Sequence, residues 1–417
     1  MKSTVAIVLA AGKGTRMKSD VPKVLHRILG KHIINYVLDA LRAAGVTDII
    51  TVAGHGAELL KRSVKGSRVV IQKELLGSGD AVNTARKLLS RYAGDVVVIC
   101  GDTPLIRPET IKAIIQKHKA SGAALTILTA ELKDPGEYGR IVRDDDGAVS
   151  GIVEAANASL YEKAIAEVNV GTYCCKAQDL FRALNHVKPD PRKKEIFLTD
   201  TIELLRKEGK KVESVRVSDI DEMIGINSRK DLAQATGTMR TRILEEAMAL
   251  GVTIEDPSST TIYHGVGIGR DSVIRPNTLI ESDVEIGSRC VIGPFARIRP
   301  HVKIGDDVEI GNFVELVRTT IGAGSRVKHH TYLGDSAVGS CVNVGAGTIT
   351  ANYDGKSKNR TVIEDKAFIG VGAILIAPVK IGRSATVGAG CVVPKNRNVP
   401  AGATVVGVPA RILKNKK

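Results

Sequence analysis

The second half of the chain carries an aliphatic residue at every sixth position. The first run consists of Ile262, Ile268, Ile274, Ile280, Ile286, Ile292, Ile298, Ile304, Ile310 and Leu316. A second run consists of Ile363, Ile369, Leu375, Ile381, Val387, Val393, Val399 and Val405. A period of six fits neither an amphipathic helix nor an alternating strand. It indicates a parallel β-helix of hexapeptide repeats, in which three repeats form one coil and the aliphatic column fills the interior.

The repeat loses its phase between these two runs. The aliphatic positions there are Ile321, Val327, Leu333, Val338 and Val344. Residues 352–360 interrupt the repeat and predict a loop that leaves the solenoid. Because breaks in a regular repeat sacrifice packing, we look for function there.

The first half alternates apolar runs typical of strands with stretches of helical periodicity. The predicted strands are 5–9, 49–52, 69–71, 96–99 and 124–128, and the predicted helices are 33–44, 80–89 and 108–119. This alternation predicts an α/β doubly wound, parallel sheet that binds ligands at the carboxyl ends of its strands. We expect this domain to occupy residues 1–227, a linker helix 228–250, and the β-helix 251–417.

Length and composition narrow the class of protein. A chain of 417 residues is too long for one ordinary core. No apolar run approaches the ~20 residues that span a bilayer. The run 5–11 leads directly into Gly12 without a small-residue cleavage site, so we expect a first strand and a cytoplasmic chain. The six cysteines form no C-x-x-C pair, which argues against a zinc site or a disulfide framework.

The charge of the chain predicts anionic ligands. Its formal net charge is +15, while aromatic residues make up 3% and tryptophan is absent. With few aromatic side chains on which bases could stack, phosphorylated metabolites are favoured over nucleic acid.

A glycine-rich turn follows the first predicted strand. It reads Leu9-Ala10-Ala11-Gly12-Lys13-Gly14-Thr15-Arg16-Met17 and precedes Pro22-Lys23. Backbone N–H groups in such a turn bind phosphate, and Arg16 and Lys23 would add positive charge. Met17 replaces the third glycine of a dinucleotide fingerprint, and the turn is not a Walker A loop. Asp102 follows the strand 96–99, where a carboxylate suits Mg²⁺.

The turn, with its T-R-M and P-K residues, resembles the signature of sugar-1-phosphate nucleotidyltransferases. Nearly the whole chain resembles the family of bifunctional N-acetylglucosamine-1-phosphate uridyltransferases and glucosamine-1-phosphate N-acetyltransferases. The first-half motifs are Gln72, Gly77-Ser78-Gly79, Gly101-Asp102, Tyr138-Gly139-Arg140-Ile141, Gly151-Ile152-Val153-Glu154, Asn169 and Ile226-Asn227.

The resemblance implies site residues that composition and spacing do not reveal. Gln72 and the Gly77-Ser78 backbone would bind uracil, and Gly139, Glu154 and Asn169 the amino sugar. Asp102 and Asn227 would bind Mg²⁺. Arg16 and Lys23 would be catalytic. The full set expected to bind UTP or UDP-N-acetylglucosamine is Leu9, Ala10, Ala11, Gly12, Lys23, Gln72, Gly77, Ser78, Cys100, Gly101, Asp102, Gly139, Glu154, Asn169 and Asn227.

The expected uridylyl transfer needs no general base. The phosphate of N-acetylglucosamine-1-phosphate is already an anion when it attacks the α-phosphorus of UTP, and pyrophosphate leaves. Positioning and charge neutralisation should therefore supply the catalysis.

The irregular centre of the solenoid contains His329, and a histidine near neutrality suits the base that acetyl transfer to an amine requires. The motifs H-x-x-Y-L-G-D and N-Y-D-G resemble the acetyltransferase half of the same family. The resemblance implies that His329 is the base and that Arg299, Tyr332 and Asn343 bind the sugar phosphate. Residues lining the sugar and acetyl-CoA sites would be Ala346, Asn352, Tyr353 and Ala389. It also implies a left-handed solenoid and a homotrimer with shared acetyl sites.

The chain departs from the family pattern of the acetyltransferase half at three positions, and in the first half Val170 replaces the small hydroxyl residue usual beside Asn169. Val317 stands where a lysine usually binds the sugar phosphate, although Arg318 could reach back. Val371 replaces a serine that usually lies near coenzyme A, and Gly407 stands in place of an arginine near the chain end. Cations at the end of the chain could bind coenzyme A phosphates or be a solvated end: Arg411, Lys414, Lys416 and Lys417.

We therefore carry three hypotheses. The first is a bifunctional enzyme that makes UDP-N-acetylglucosamine from UTP, acetyl-CoA and glucosamine-1-phosphate for peptidoglycan and lipopolysaccharide precursors, without nucleic acid or membrane partners. The second keeps only the uridyltransferase, with the β-helix acting on another acyl acceptor or serving as a trimer scaffold. The third is a regulatory or assembly subunit with the same architecture but no catalysis.

Overall fold

The computed structural model describes residues 4–191 and 194–413. The chain divides into two compact units, Met1–Thr238 and Met239–Lys417. No helix in the described ranges combines the length and the apolarity needed to cross a membrane.

The first unit alternates strands and helices along the chain. Its strands are β1 (Val5–Ala10), β2 (Arg27–Ile28), β3 (Lys31–His32), β4 (Asp48–Ala53), β5 (Arg68–Ile71), β6 (Asp95–Cys100), β7 (Leu125–Glu131), β8 (Arg140–Arg143), β9 (Val149–Val153), β10 (Glu167–Lys176) and β11 (Val212–Arg216). Its helices are α1 (Ile33–Ala43), α2 (Ala57–Ser63), α3 (Ser78–Thr84), α4 (Pro108–Ser121), α5 (Leu160–Lys163), α6 (Ala177–Leu184) and α7 (Asp200–Lys207). The long helix α8 (Arg229–Ala249) begins in this unit and ends in the second.

The main sheet has the strand order β11-β7-β10-β6-β1-β4-β5. Strand β1 pairs in parallel with β4 and β6, which brings the ends of the three strands to one edge. The doubly wound α/β class is confirmed, but the prediction of an entirely parallel sheet is wrong, because β10 runs antiparallel between β6 and β7. Polar residues and a glycine interrupt the apolar pattern of β10, and the hydrophobic pattern alone did not reveal it.

Both faces of this sheet are covered. Alternate residues of β1 enter opposite core layers: Ile7 lies in one, and Ala6 and Val8 lie in the other. Strand β6 divides in the same way, with Val98 on one face and Val97 on the other. Because helices bury both faces, ligands can reach this sheet only at the ends of its strands.

The second unit is a solenoid of three sheets, and its hexapeptide β-helix class is confirmed as left-handed and parallel. The first sheet contains Thr253–Ile254, Val273–Ile274, Val291–Ile292, Glu309–Asn312, Arg326–His329, Asn343–Val344, Phe368–Ile369, Thr386–Val387, Thr404–Val406 and the antiparallel end strand Arg411–Ile412. The second contains Thr261–Ile262, Leu279–Ile280, Arg297–Ile298, Glu315–Val317, Tyr332–Gly334, Ile349–Ala351, Ile374–Ile376 and Val392–Val393. The third contains Gly267–Ile268, Val284–Ile286, Val302–Ile304, Thr320–Ile321, Ser336–Val338, Thr361–Ile363 and Val379–Ile381.

The ladder register explains the period of six. Ile262 pairs with Ile280, Ile280 with Ile298, and Ile298 with Leu316, so three hexapeptides close one coil. These side chains are buried in one continuous core.

The phase breaks are two shortened coils followed by one lengthened coil. Ile310 pairs with Val327 and Val327 with Val344, each one residue sooner than the repeat requires, whereas Val344 pairs with Ile369 across the excursion at 352–360. Thr350 takes an interior position between these breaks, and its hydroxyl oxygen accepts a hydrogen bond from the Gly334 N–H at 2.9 Å. The buried hydroxyl is thus satisfied by the neighbouring coil.

Candidate active sites

The glycine-rich turn lies at the carboxyl end of β1 and folds against Lys23. Gly14 has a φ of 60°, and a Cβ there would lie 2.8 Å from the Lys23 Cβ, so glycine is required on both counts. The short 3₁₀ helix Thr15–Met17 follows it and carries Arg16. The turn therefore places its backbone next to a lysine side chain, as a phosphate site requires.

Lys23, Asp102 and Asn227 converge at this edge of the sheet. The Lys23 ammonium group donates hydrogen bonds to the Asp102 carboxylate and, at 3.0 Å, to Asn227 Oδ1. The side chains of Lys23 and Asp102 are only 14% and 19% exposed. The side-chain oxygens of Asp102 and Asn227 thus both bind one cation, the Lys23 ammonium group, in a half-buried site. Carboxylate and amide oxygens are ligands that hard divalent cations prefer, so this pair fits such an ion.

The N-terminal cap of α8 positions Asn227. The Asp231 carboxylate accepts hydrogen bonds from the backbone N–H of Asn227 at 2.9 Å and of Ser228 at 2.8 Å. The N–H of the preceding Ile226 donates to the Asp102 carbonyl at 2.9 Å. Because the backbone is held on both sides, the Asn227 side chain is oriented toward Lys23.

A cavity of about 560 Å³ continues from the glycine-rich turn. Its lining includes Leu9, Ala11, Gly12, Lys13, Gly14, Thr15, Gln72, Leu75, Gly77, Ser78, Ala81, Cys100 and Glu195. Burial raises the pKa of the Cys100 thiol to about 12, so this part of the wall is neutral. The structure thus brings the predicted uracil-binding residues next to the predicted phosphate turn.

Gln72 is fixed within this cavity. Its Nε2 donates to Asp80 Oδ2 at 2.7 Å and to the Gly77 carbonyl at 3.2 Å. The two N–H bonds of the amide are then used, which leaves Oε1 to accept from a ligand. Gly77 has a φ of 102°, and a Cβ there would lie 2.6 Å from the Ile196 carbonyl oxygen.

Gly139, Glu154 and Asn169 form a second cluster of the first unit. A Cβ built on Gly139 would lie 3.8 Å from the Asn169 Cβ and 3.8 Å from Glu154 Oε2. The Asn169 side chain donates to the Tyr173 hydroxyl at 2.7 Å, and Thr199 donates to Glu154 Oε1 at 3.1 Å. The structure therefore groups the three residues that were predicted to bind the amino sugar.

Of the two predicted catalytic residues in the first unit, Arg16 is the more exposed. Its guanidinium group is 64% exposed and forms an ion pair with Glu137 at 3.6 Å. Asp102 instead pairs with Lys23. Arg16 is thus free to turn toward an incoming phosphate, whereas Lys23 is already held in place.

Within residues 4–191 and 194–413, no cluster of three or more His, Cys, Asp or Glu side chains could hold a metal ion. A cation at Asp102 and Asn227 would therefore take its other ligands from substrate or water.

Sequence reasoning missed the supporting carboxylates Asp80 and Asp231. The S-x-x-D pattern at Ser228, which resembles a capping box, could have pointed to Asp231.

In the second unit, His329 lies beside a residue that the sequence analysis did not select. His329 ends its strand directly opposite Asn312 in the parallel ladder, and its Nδ1 lies 2.8 Å from Asn312 Oδ1. Nearby, Tyr332 pairs with Glu315, which binds Arg299 at 2.8 Å. His329 and Tyr332 therefore lie on successive strands of one coil, and Glu315, the ladder partner of Tyr332, links them to Arg299 in the coil before.

Asp335 connects the other predicted residues. It forms a bidentate ion pair with Arg318, in which Nη2 lies 2.8 Å from Oδ2, and it accepts a hydrogen bond from the Asn352 side chain. The Arg318 guanidinium holds the pKa of the Asp335 carboxyl below its usual range. The structure thus places Arg318 on Asp335 instead of at the position of the missing lysine. Val317 itself is buried, with 2% exposure.

The remaining predicted acetyl-site residues occupy successive coils and the excursion. Asn343 pairs with Phe368 on the first solenoid sheet. The Ala346 carbonyl accepts a hydrogen bond from the Gly372 N–H at 2.7 Å. This contact stacks the turn that contains Ala346 on the turns of the later coils, which contain Val371 and Ala389. Tyr353 is exposed, and its hydroxyl donates to the Gly355 carbonyl at 2.7 Å. Gly407 adopts a φ of 92°, and Lys414, Lys416 and Lys417 lie outside the described residues.

Known protein families match both units. Residues 6–199 match the MobA-like NTP transferase domain, and residues 283–318 and 360–395 match the bacterial transferase hexapeptide (six repeats). The fold and the sites thus define a nucleotidyltransferase joined to a hexapeptide-repeat acyltransferase.

Full-length relatives carry the same two parts. The chain is 43% identical to the bifunctional protein GlmU of Shouchella clausii over 94% of this chain and 93% of that protein. It is 42% identical to that of Heliobacterium modesticaldum over 97% and 96%, and 44% identical to that of a Geobacillus species over 94% and 92%. The chain belongs to the GlmU family.

Membership of this family establishes the two activities. The chain is an enzyme that acetylates glucosamine-1-phosphate and transfers uridylyl to N-acetylglucosamine-1-phosphate, forming UDP-N-acetylglucosamine. The nucleotidyltransferase reaction requires a divalent metal, and acetyl-CoA is the acetyl donor. The hypotheses of a uridyltransferase alone and of a regulatory subunit are not favoured.

Proposed function

We propose that the first unit performs uridylyl transfer with Mg²⁺ held by Asp102 and Asn227. The observation that carries this assignment is the convergence of both oxygens on the Lys23 ammonium group. When bound, the metal ion neutralises charge on the phosphate oxygens of UTP. Lys23 would then turn from its two protein partners to the triphosphate.

The protein supplies position and charge to this reaction. The Gly12 turn binds phosphate through backbone N–H groups, and Arg16 closes over the triphosphate. Gln72 and the Gly77-Ser78 segment bind uracil. Gly139, Glu154 and Asn169 hold the amino sugar so that its phosphate faces the α-phosphorus of UTP. The remaining assigned nucleotide contacts are Leu9, Ala10, Ala11, Cys100 and Gly101.

In the second unit, we propose that His329 is the general base. It removes a proton from the ammonium group of glucosamine-1-phosphate, and the freed amine attacks the thioester carbonyl of acetyl-CoA. Coenzyme A then leaves as its thiol. Arg299, Tyr332 and Asn343 bind the sugar phosphate, and residues lining the acetyl-CoA and sugar sites are Ala346, Asn352, Tyr353 and Ala389.

The biological setting belongs to the same proposal. The hexapeptide-repeat fold supports a homotrimer in which each acetyl site includes a neighbouring copy. UTP and acetyl-CoA are cytoplasmic metabolites, which supports a cytoplasmic enzyme. Its product would supply peptidoglycan and lipopolysaccharide precursors. We assign the first domain to 1–227, the linker helix to 228–250 and the acetyltransferase domain to 251–417.

Separate loss of the two activities tests the site assignments. Arg16→Ala should lower pyrophosphate release on the order of 10²–10³-fold, as loss of a transition-state donor does, and leave coenzyme A release unchanged. His329→Ala should have the opposite effect. If either variant lowered both activities equally while remaining folded, the assignment of two independent sites would be wrong.

A further inference from the structure

The ring of His329 has a defined partner in the preceding coil. Its Nδ1 lies 2.8 Å from Asn312 Oδ1. An amide oxygen only accepts hydrogen bonds, so Nδ1 must carry the hydrogen in this contact, and Nε2 then holds the free lone pair. The contact therefore selects one of the two neutral tautomers.

We infer that Asn312 is a positioning residue, which fixes His329 in the tautomer whose Nε2 takes the proton from the ammonium group of the acceptor. This inference rests on the proposed role of His329 as the base. The neutral amide of Asn312 orients the ring without adding a charge that would hold the proton after transfer.

The backbone around this pair is also constrained. The His329 carbonyl accepts hydrogen bonds from the Thr331 hydroxyl at 2.7 Å and from the Gly347 N–H at 3.4 Å. Beside Asn312, a Cβ on Gly311 would lie 1.9 Å from the Lys328 carbonyl oxygen, so the two strands approach too closely for any other residue. The relative placement of Asn312 and His329 is thus set by the fold.

The adjacent histidine is held differently. The ring of His330 stacks on Phe313 with the ring centroids 5.0 Å apart. Phe313 in turn stacks on Phe295 at 5.2 Å. Of the two consecutive histidines, His329 is therefore the one whose ring nitrogen is oriented by a polar partner.

Charged groups on the packed strands are already paired with one another. Glu309, on the strand of Asn312, binds Lys328 at 2.6 Å and Arg326 at 3.3 Å, both on the strand of His329. The next strand, Asn343–Val344, contains no titratable residue. A carboxylate introduced at position 312 would thus be a new negative charge directly at the imidazole ring.

The test measures coenzyme A release from acetyl-CoA and glucosamine-1-phosphate across pH. Asn312→Ala should lower kcat roughly 10-fold to 100-fold, part of what a general base contributes, with little change in KM. Asn312→Asp, which keeps the shape, should move the acidic limb of the kcat/KM profile to higher pH because a carboxylate stabilises the imidazolium. Asn398→Ala, which removes an asparagine contact to the Lys380 N–H elsewhere on the solenoid, should match the wild type.

The outcomes separate this inference from the proposed function. If His329→Ala abolishes release but both Asn312 variants keep the wild-type kcat and acidic limb, the positioning role is overturned and the base stands. If His329→Ala still releases coenzyme A, the base assignment fails and the inference falls with it.

Discussion

The Lys23 ammonium group donates a 3.0 Å hydrogen bond to Asn227 Oδ1, joining two residues that lie 204 positions apart in the sequence. Asp102 binds the same ammonium group from the end of β6. A lysine thus occupies the place between the two oxygen ligands that we assign to the metal. If a metal ion were held there, Asp102 and Asn227 would bind it in place of Lys23, and the ammonium group would be free to bind substrate phosphate.

Asp102→Asn should weaken metal binding because it replaces the single carboxylate of the site with a neutral amide. We expect the Mg²⁺ concentration needed for half-maximal pyrophosphate release to rise roughly 5-fold to 150-fold, as loss of one charged ligand costs on the order of 1–3 kcal/mol. A titration of rate against Mg²⁺ measures this. Asp145→Asn, in the exposed turn between β8 and β9, is the matched control; equal requirements in both variants would remove Asp102 from the metal site.

Asp80→Ala should lower the preference for UTP over CTP. Asp80 holds the Gln72 amide so that Oε1 is left to accept from the N3–H of uracil, and cytosine has no hydrogen at N3. Without Asp80, the Gln72 amide can also adopt the flipped orientation, which presents Nε2 to the base. We therefore expect the ratio of kcat/KM for UTP to kcat/KM for CTP to fall about 10-fold, the effect of one hydrogen bond. An unchanged ratio would mean that Asp80 does not orient Gln72.

Gly77→Ala should impair both uridylyl transfer and stability. The substitution adds a Cβ 2.6 Å from the Ile196 carbonyl oxygen and also forces alanine into a φ of 102°. Gly147→Ala is the matched control, since Gly147 has a φ of 78° but open space at its Cβ position. Thermal unfolding should show about 1 kcal/mol of loss for the control, from the conformational strain alone, and more for Gly77→Ala.

Arg318→Ala should destabilise the solenoid at neutral pH but much less at low pH. Arg318 lowers the pKa of Asp335, so the ion pair adds stability above the unfolded-state pKa of about 3.9 and loses it as the pH falls through the depressed folded value. Melting temperatures of the wild type and the variant should therefore differ most above pH 5 and converge upon acidification. A difference that stayed constant with pH would assign the effect to lost packing.

The hydrophobic pattern predicted both folds because each repeats a local rule many times. The column from Ile262 to Leu316 requires one interior position per hexapeptide, and the ladder pairs these residues as predicted. Strand β10 was missed because Asn169 and Gly171 break its apolar pattern. Its place in the sheet is set by its pairing with β6 on one side and with β7 on the other.

The sites were less accessible to sequence reasoning. Asp102 could be selected because it ends an apolar strand, but Asn227 is an isolated polar residue whose role depends on the cap of a helix far along the chain. Asn312 reaches His329 only through the register of adjacent coils. Arg318 was expected near a missing lysine, yet a carboxylate one coil away binds it more directly.

The most direct test of two active sites in one chain is a pair of assays on the same preparation. One follows coenzyme A release from acetyl-CoA and glucosamine-1-phosphate, and the other follows pyrophosphate release from UTP and N-acetylglucosamine-1-phosphate. We expect both products, which would show that acetyl transfer tolerates Val317, Val371 and Gly407. Pyrophosphate without coenzyme A release would contradict the account and leave the solenoid without its assigned reaction.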